Sequence, residues 1–101
     1  MAKEYKISFS KRYHSQLVQY GLDYKKAKEK IIQHIKEIED KLDDKLRGFH
    51  TTYTENNQKY TLAGLATREG DCVKIEATSI WDKEFTLEGV EIRETNIRII
   101  K

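Results

Sequence analysis

The residues of this chain best suited to chemistry are its three histidines, at positions 14, 34 and 50. Imidazole titrates near neutral pH, so a histidine can serve as general acid or base when RNA is cleaved at a 2′-hydroxyl. His50 alternates with Phe49 and Tyr53, a period of two that predicts an outward-facing His50 if the Phe49 side is buried. We therefore interpret His50 as the leading catalytic candidate, helped by His14, and His34 as a boundary residue of a helix.

Cleavage also needs a cation beside the phosphate, and arginine suits this role because its planar fork binds two oxygens at once. Arg47 and Arg68 are the arginines expected near the exposed sheet face that carries His50. The predicted catalytic set is therefore His50, His14, Arg47 and Arg68.

Charge is distributed unevenly along the chain, although the formal net charge is only +2. Residues 1–36 contain nine Lys or Arg and three Asp or Glu, whereas residues 37–101 contain ten and fourteen. A basic N-terminal third is typical of a phosphate-binding surface, and a solvated helix face has the same composition. The predicted nucleic-acid contacts are Lys11, Arg12, Lys25, Lys26 and Lys74.

The composition argues against several classes of site. Cys72 is the only cysteine, so neither an intrachain disulfide nor a cysteine metal cluster can form. The histidines lack the carboxylate spacing of a metal motif, and the five glycines are scattered rather than gathered in a phosphate-binding loop. No run of 18 apolar residues and no apolar secretory signal is present. We expect no metal, no cofactor, no membrane partner and a cytoplasmic location.

The first elements that position these residues follow from periodicity and capping. Residues 4–9 alternate between apolar and polar, which predicts a strand with one buried face. Ser10 can cap a helix by accepting a hydrogen bond from a free backbone N–H, and Gly21 can end it in a left-handed conformation. The sequence therefore predicts a short helix over residues 11–20.

A second, longer helix is predicted by the strongest pattern in the sequence. After the capping residue Asp23, apolar residues recur at steps of three and four as far as Leu46, and Gly48 provides the stop. The predicted helix covers residues 23–47. Its second half is dense in mixed charge, which is typical either of a solvated surface or of one that faces a partner.

The rest of the chain has the period of two that is typical of strands. Asn56 and Asn57 tolerate positive φ and predict a turn, and Glu69 with Gly70 predicts another. The alternation places Trp81 on the same face as Val73, Ile75 and Ala77. The predicted strands run from Phe49 to Thr54, over 58–67 and 72–81, and over 84–88 and 90–100 as one or two further strands.

These elements predict one α+β domain over residues 1–101. Its order is strand, helix, helix, and then a four- to five-stranded antiparallel meander, with both helices on one face of the sheet.

This order resembles the small RNase-toxin fold of the RelE and ParE type. The segment Ile7-Ser8-Phe9-Ser10-Lys11-Arg12-Tyr13-His14 is similar to the entry of BrnT-like toxins and of the phage endoribonuclease RegB. Gly21-Leu22-Asp23 resembles the start of their second helix, and residues 67–75 resemble the hairpin before their core strand. The resemblance covers about residues 5–80. It implies an RNA- or ribosome-binding domain whose activity, if it has one, is metal-independent RNA cleavage.

Two other classes of function remain open. The domain could be a non-enzymatic protein-binding module, such as a small phage or plasmid-encoded inhibitor or an antitoxin-like partner, that uses the helix 23–47 or the edge hairpin 84–101. It could also be a homodimer that buries the part of the long helix extending beyond the domain. His14 or His50 sharing an exposed patch with Arg or Lys favours the RNA hypothesis; scattered histidines favour a protein partner.

Overall fold

The computed structural model describes residues 2–82. Its helices and strands begin and end close to the residues where capping and periodicity place them, with one exception at the second helix. In chain order they are β1 (Glu4–Phe9), α1 (Lys11–Tyr20), α2 (Tyr24–Ile38), β2 (Arg47–Glu55), β3 (Gln58–Glu69) and β4 (Cys72–Trp81). The predicted strands over 84–88 and 90–100 lie outside the described residues.

The caps of both helices are formed by the predicted residues. The Ser10 hydroxyl accepts a hydrogen bond of 3.1 Å from the Tyr13 backbone N–H, and Gly21 ends α1 at φ 65°. The Asp23 carboxylate accepts from the Lys26 backbone N–H at 3.0 Å and starts α2. These local interactions satisfy backbone groups that a helix end leaves unpaired, so they separate α1 from α2 by a short turn.

The predicted single helix over 23–47 is wrong, because α2 ends at Ile38 and a 3-10 turn follows over Glu39–Lys41. Glu39 is only 4% exposed, and its carboxylate accepts hydrogen bonds from the Ala2 backbone N–H at 2.6 Å and from the Tyr5 hydroxyl. These bonds to the N-terminal segment therefore end the helix although the apolar spacing continues.

The sheet that the structure describes has four strands in the order β1-β4-β3-β2. The meander β2-β3-β4 is antiparallel as predicted, but β1 pairs in parallel with β4, so the sheet is mixed rather than antiparallel throughout. Periodicity predicts which residues form strands and not which strands become neighbours, so the position of β1 could not be read from it.

One continuous apolar core joins both helices to one side of the sheet. The α2 residues Ala27, Ile31 and Ile35 are fully buried, as is Tyr13 of α1. They pack with the fully buried Val73 of β4 and with other strand residues, including Phe49, Leu62, Ile75 and Ile80. The α+β class, with the helices on one face, is confirmed, and the opposite side of the sheet is called the distal face below.

A bulge in β4 reverses the predicted side of Trp81. Gly64 pairs with Ala77 while Ala63 pairs with Ser79, so Thr78 is an extra residue in β4. Beyond it the alternation changes phase, and Ile80 rather than Trp81 joins the core. Trp81 lies on the distal side, where its indole N–H donates to the Ser79 hydroxyl at 3.2 Å.

Glycine is required opposite this bulge. A Cβ at position 64 would lie 2.0 Å from the Glu76 carbonyl oxygen and 2.9 Å from the Phe49 ring. The first distance involves backbone of the neighbouring strand, which cannot move aside without breaking the ladder. Gly64 therefore allows β3 and β4 to approach closely under Phe49.

Replacing Ile35 by Ala should lower the free energy of unfolding by about 2–5 kcal/mol, because a fully buried branched side chain leaves a cavity. Urea denaturation followed by circular dichroism measures the change, with the exposed Glu29→Ala on the same helix as the control. A loss no larger than that of the control would contradict the assignment of Ile35 to the core.

Glu39→Gln should remove part of the pH dependence of stability. The hydrogen bonds from Tyr5 and from the Ala2 N–H, together with Arg68, lower the pKa of Glu39. A group whose pKa is lower in the folded than in the unfolded state stabilises the fold at pH values above its unfolded-state pKa. This stabilisation is lost as the pH falls through the folded-state pKa. Glu39→Gln should therefore destabilise the protein at pH 7 and much less at acidic pH, in chemical denaturation at a series of pH values. Equal destabilisation at both ends would contradict the pairing.

Candidate nucleic-acid interface

The end of β1 is surrounded by aromatic rings from both helices. The centroid of the Phe9 ring lies 5.2 Å from that of Tyr13, 5.7 Å from the imidazole of His14 and 5.3 Å from the ring of Tyr24. Tyr13 is fully buried, whereas Tyr24 is 43% exposed and His14 is exposed. Phe9, His14 and Tyr24, called the aromatic patch here, therefore bring two exposed rings together over a buried tyrosine.

Local folding explains why these rings meet. Alternation in β1 puts Phe9 on the helix side, and Ser10 then turns the chain into α1, with His14 in its first turns. Asp23 starts α2 at Tyr24, the first residue of that helix. The patch thus joins the end of one strand to the beginnings of both helices.

Positive charge surrounds the patch. The Lys28 ammonium lies 5.9 Å from the Tyr24 ring centroid, within the range of a cation–π interaction. Lys25 and Lys26 are exposed in the first turn of α2, and Lys11 is exposed at the start of α1. Neither first turn contains an acidic residue, but the Asp23 carboxylate caps α2 and the Glu55 carboxylate accepts from the Asp23 backbone N–H, so the positive charge comes from the lysine side chains and from the N-terminus of α1. The surface can therefore attract phosphate while its rings are available for stacking.

Arg12, another predicted nucleic-acid contact, lies against the end of β4. Its guanidinium carbon is 5.6 Å from the centroid of the Trp81 ring. The nearby Gln16 side chain accepts a 2.7 Å hydrogen bond from the Ile80 backbone N–H and holds α1 to that strand. Among the predicted nucleic-acid contacts, Arg12 therefore contacts Trp81 of the sheet and not a residue of the aromatic patch.

The structure separates the predicted catalytic residues. His50 pairs with Ala63, and Arg68 pairs with the buried Val73. Positions 63 and 68 lie an odd number of residues apart on β3, so their side chains point to opposite faces. His50 is therefore on the distal face, while Arg68 is on the helix side of the sheet. His14, next to Phe9, also lies in the helix layer.

Both predicted arginines take part in ion pairs within the fold. Arg47 binds the Asp43 carboxylate through Nε at 3.1 Å and through a terminal nitrogen at 2.6 Å, which holds the pKa of Asp43 at about 2. Arg68 donates to the Glu39 carbonyl at 3.3 Å and lies 3.7 Å from its carboxylate. The two arginines therefore stabilise the segment after α2, and the structure does not bring them together with His50 and His14.

The remaining predicted residues are placed separately. Lys74 pairs with Thr67 and Lys6 on the distal face, away from the aromatic patch. His34 is half-buried against Phe49, at 6.2 Å between ring centroids, and burial lowers its pKa. Its position agrees with the prediction of a boundary residue.

Sequence reasoning missed the exposure of Tyr24 and the incomplete burial of Phe9, because both residues belong to apolar patterns that predict burial. The available signal was position: each lies at the end of its pattern, next to a cap, where the core no longer covers a side chain fully. Lys28 was missed because helical spacing alone does not say which neighbour a lysine contacts.

Residues 2–82 contain no group of three or more His, Cys, Asp or Glu side chains arranged to hold a metal ion. Within the same residues, neither helix combines the length and apolarity that crossing a bilayer requires.

Comparison with protein-family models, curated proteins and solved structures finds no match to this chain.

Proposed function

We propose that this domain binds single-stranded RNA through the aromatic patch and the lysines that surround it. The observation that carries the proposal is that two exposed rings, His14 and Tyr24, flank Phe9 while the Lys28 ammonium lies over the Tyr24 ring. Exposed lysines also occupy the first turns of α1 and α2. Aromatic side chains stack on unpaired bases, and lysines bind the phosphates between them.

A single strand is the expected ligand because the patch offers stacking surfaces. Bases in an A-form duplex are stacked on each other and are not available to side chains, whereas bases in loops and ends can stack on protein rings. The resemblance of about residues 5–80 to RelE- and ParE-type toxins is the reason for choosing RNA, free or within the ribosome, as the nucleic acid.

The proposal is limited to binding. Cleavage by His50, His14, Arg47 and Arg68 acting together would require one shared surface, and these side chains lie on two faces or within ion pairs. The surface predicted for a protein partner on residues 23–47 is divided between α2 and the 3-10 turn that follows it, and the predicted hairpin 84–101 lies outside the described residues.

Neutralising Lys25 and Lys26 together should weaken binding and reduce its salt dependence. Each lysine that contacts a phosphate of a single strand contributes about 0.7 to the slope of log affinity against log salt, so Lys25→Gln with Lys26→Gln should flatten it by about 1.4. Fluorescence anisotropy with a labelled 12-nucleotide RNA measures this between 50 and 200 mM salt, which is about the range where such effects are large. The control neutralises the exposed Lys41 and Lys45.

Tyr24→Ala, which removes the ring, should weaken RNA binding about 5- to 100-fold, the usual loss for one base–aromatic stack. Tyr24→Phe keeps the ring and should retain most of the affinity for RNA. Circular dichroism establishes that each variant is folded. Absence of RNA binding at low salt, or affinities unaffected by both the lysine and the ring substitutions, would overturn the proposal and make a protein partner the leading hypothesis.

A further inference from the structure

The distal face contains a pocket that the proposed RNA surface does not use. It is an open cavity of about 250 Å³ across β1, β4 and β3, and the loop residue before β2 contributes to its wall. Its side-chain lining is Ser8, Leu46, Leu65, Thr67, Lys74 and Glu76. Pockets for whole drug-sized ligands span about 300–1,000 Å³, so this one suits a flat group the size of a single base.

Strand register fixes how the polar groups are arranged. Ser8, Glu76 and Leu65 lie side by side across three strands, and one step along the sheet Lys6, Lys74 and Thr67 do the same. Glu76 and Lys74 are two residues apart on β4, which separates their backbones by roughly 7 Å. The pocket therefore has a carboxylate end and a lysine end.

The lysine end favours an anion. Lys6 and Lys74 are directly opposite on neighbouring strands, an arrangement of like charges that is destabilising on its own. The Glu69 carboxylate lies 3.4 Å from the Lys74 ammonium, but both side chains are more than half exposed, so solvent screens this pair. A bound phosphate would relieve the remaining repulsion between the lysines.

The carboxylate end favours a donor-rich base. Within residues 2–82, the Glu76 carboxylate is exposed and makes no hydrogen bond or ion pair, so both oxygens can accept. Guanine is the one common base with two adjacent donors, N1–H and the 2-amino group, on its Watson–Crick edge. Adenine and cytosine place an acceptor beside their amino group, and uracil flanks its one N–H with acceptors, so each would turn a lone pair toward the carboxylate.

The walls suit a planar ring. Leu46, which is 47% exposed, and the half-buried Leu65 both line the pocket. A base between them would cover apolar surface while its polar edge faces Glu76.

We propose that this pocket binds a guanine nucleotide, with Glu76 accepting from N1–H and the 2-amino group, Lys6 and Lys74 holding the phosphate, and Leu46 and Leu65 contacting the ring. The nucleotide is either free or part of an RNA strand, because both present the same base and phosphate. The inference rests on different residues from the RNA surface and does not depend on it.

Titration of the ¹⁵N- and methyl-labelled protein with nucleotide monophosphates tests the inference. GMP should shift the methyl signals of Leu46 and Leu65, AMP should leave them nearly unchanged, and IMP, which lacks the 2-amino group, should bind more weakly than GMP. Glu76→Gln should reduce GMP affinity about 10- to 100-fold, the usual value of a bidentate base contact. The exposed Glu29→Gln is the matched control. Equal shifts with AMP and GMP, or unchanged GMP binding by Glu76→Gln, would overturn the inference.

A second arm identifies the source of the nucleotide. Binding of the RNA hexamers AAGAAA and AAAAAA is compared with binding of GMP, in wild type and in Glu76→Gln. A Glu76-dependent preference for the guanine hexamer over GMP assigns the pocket to RNA, and a preference for GMP assigns it to the free nucleotide. A third result would separate the two proposals. If both hexamers bind equally well through the lysines of α2, and GMP shifts no signal of the pocket, the pocket proposal is wrong and the proposed RNA surface is unaffected.

Discussion

The parallel pairing of β1 with β4 is the constraint on which the rest of the structure depends. It ends at Phe9 and Ala77, immediately before the bulge at Thr78. There the Ser10 backbone N–H donates to the Ala77 carbonyl at 3.0 Å, and the Ser10 hydroxyl donates to the Thr78 carbonyl at 3.0 Å while it caps α1. One serine thus joins the strand, the bulge and the first helix, so the direction in which both helices leave the sheet is set at this point.

A buried carboxylate provides the second link between distant parts of the chain. Glu39 connects the end of α2 to Ala2 and Tyr5 of the N-terminal segment and to Arg68 of β3. A buried charge is costly unless hydrogen bonds and an opposite charge compensate for it, and here both are present. Because its partners come from two segments far from α2 in the sequence, the carboxylate contributes specificity for this arrangement.

The same edge strand connects the two proposed binding surfaces. Neighbouring residues of a strand point to opposite faces, so Phe9 belongs to the aromatic patch while Ser8 lines the distal pocket. Because β1 is an edge strand, the two surfaces lie on opposite sides of the same sheet edge. The position of β1 in the sheet matters for this geometry. Had β1 been a central strand, strands would flank it on both sides, and no sheet edge would lie next to Ser8 and Phe9.

Local chemistry in the sequence determined the strands of the meander, the caps at Ser10 and Asp23, and the Asn56–Asn57 turn, where both residues have positive φ. These features depend on residues close together in the chain, so periodicity and capping were sufficient to predict them. Tertiary structure alone decided that α2 ends at Ile38 and that β1 lies beside β4. It also decided that the bulge moves Trp81 to the distal face and that Arg68 and His50 lie on opposite sides. Each of these outcomes follows from hydrogen bonds between residues far apart in sequence, and spacing along one segment does not encode such partners.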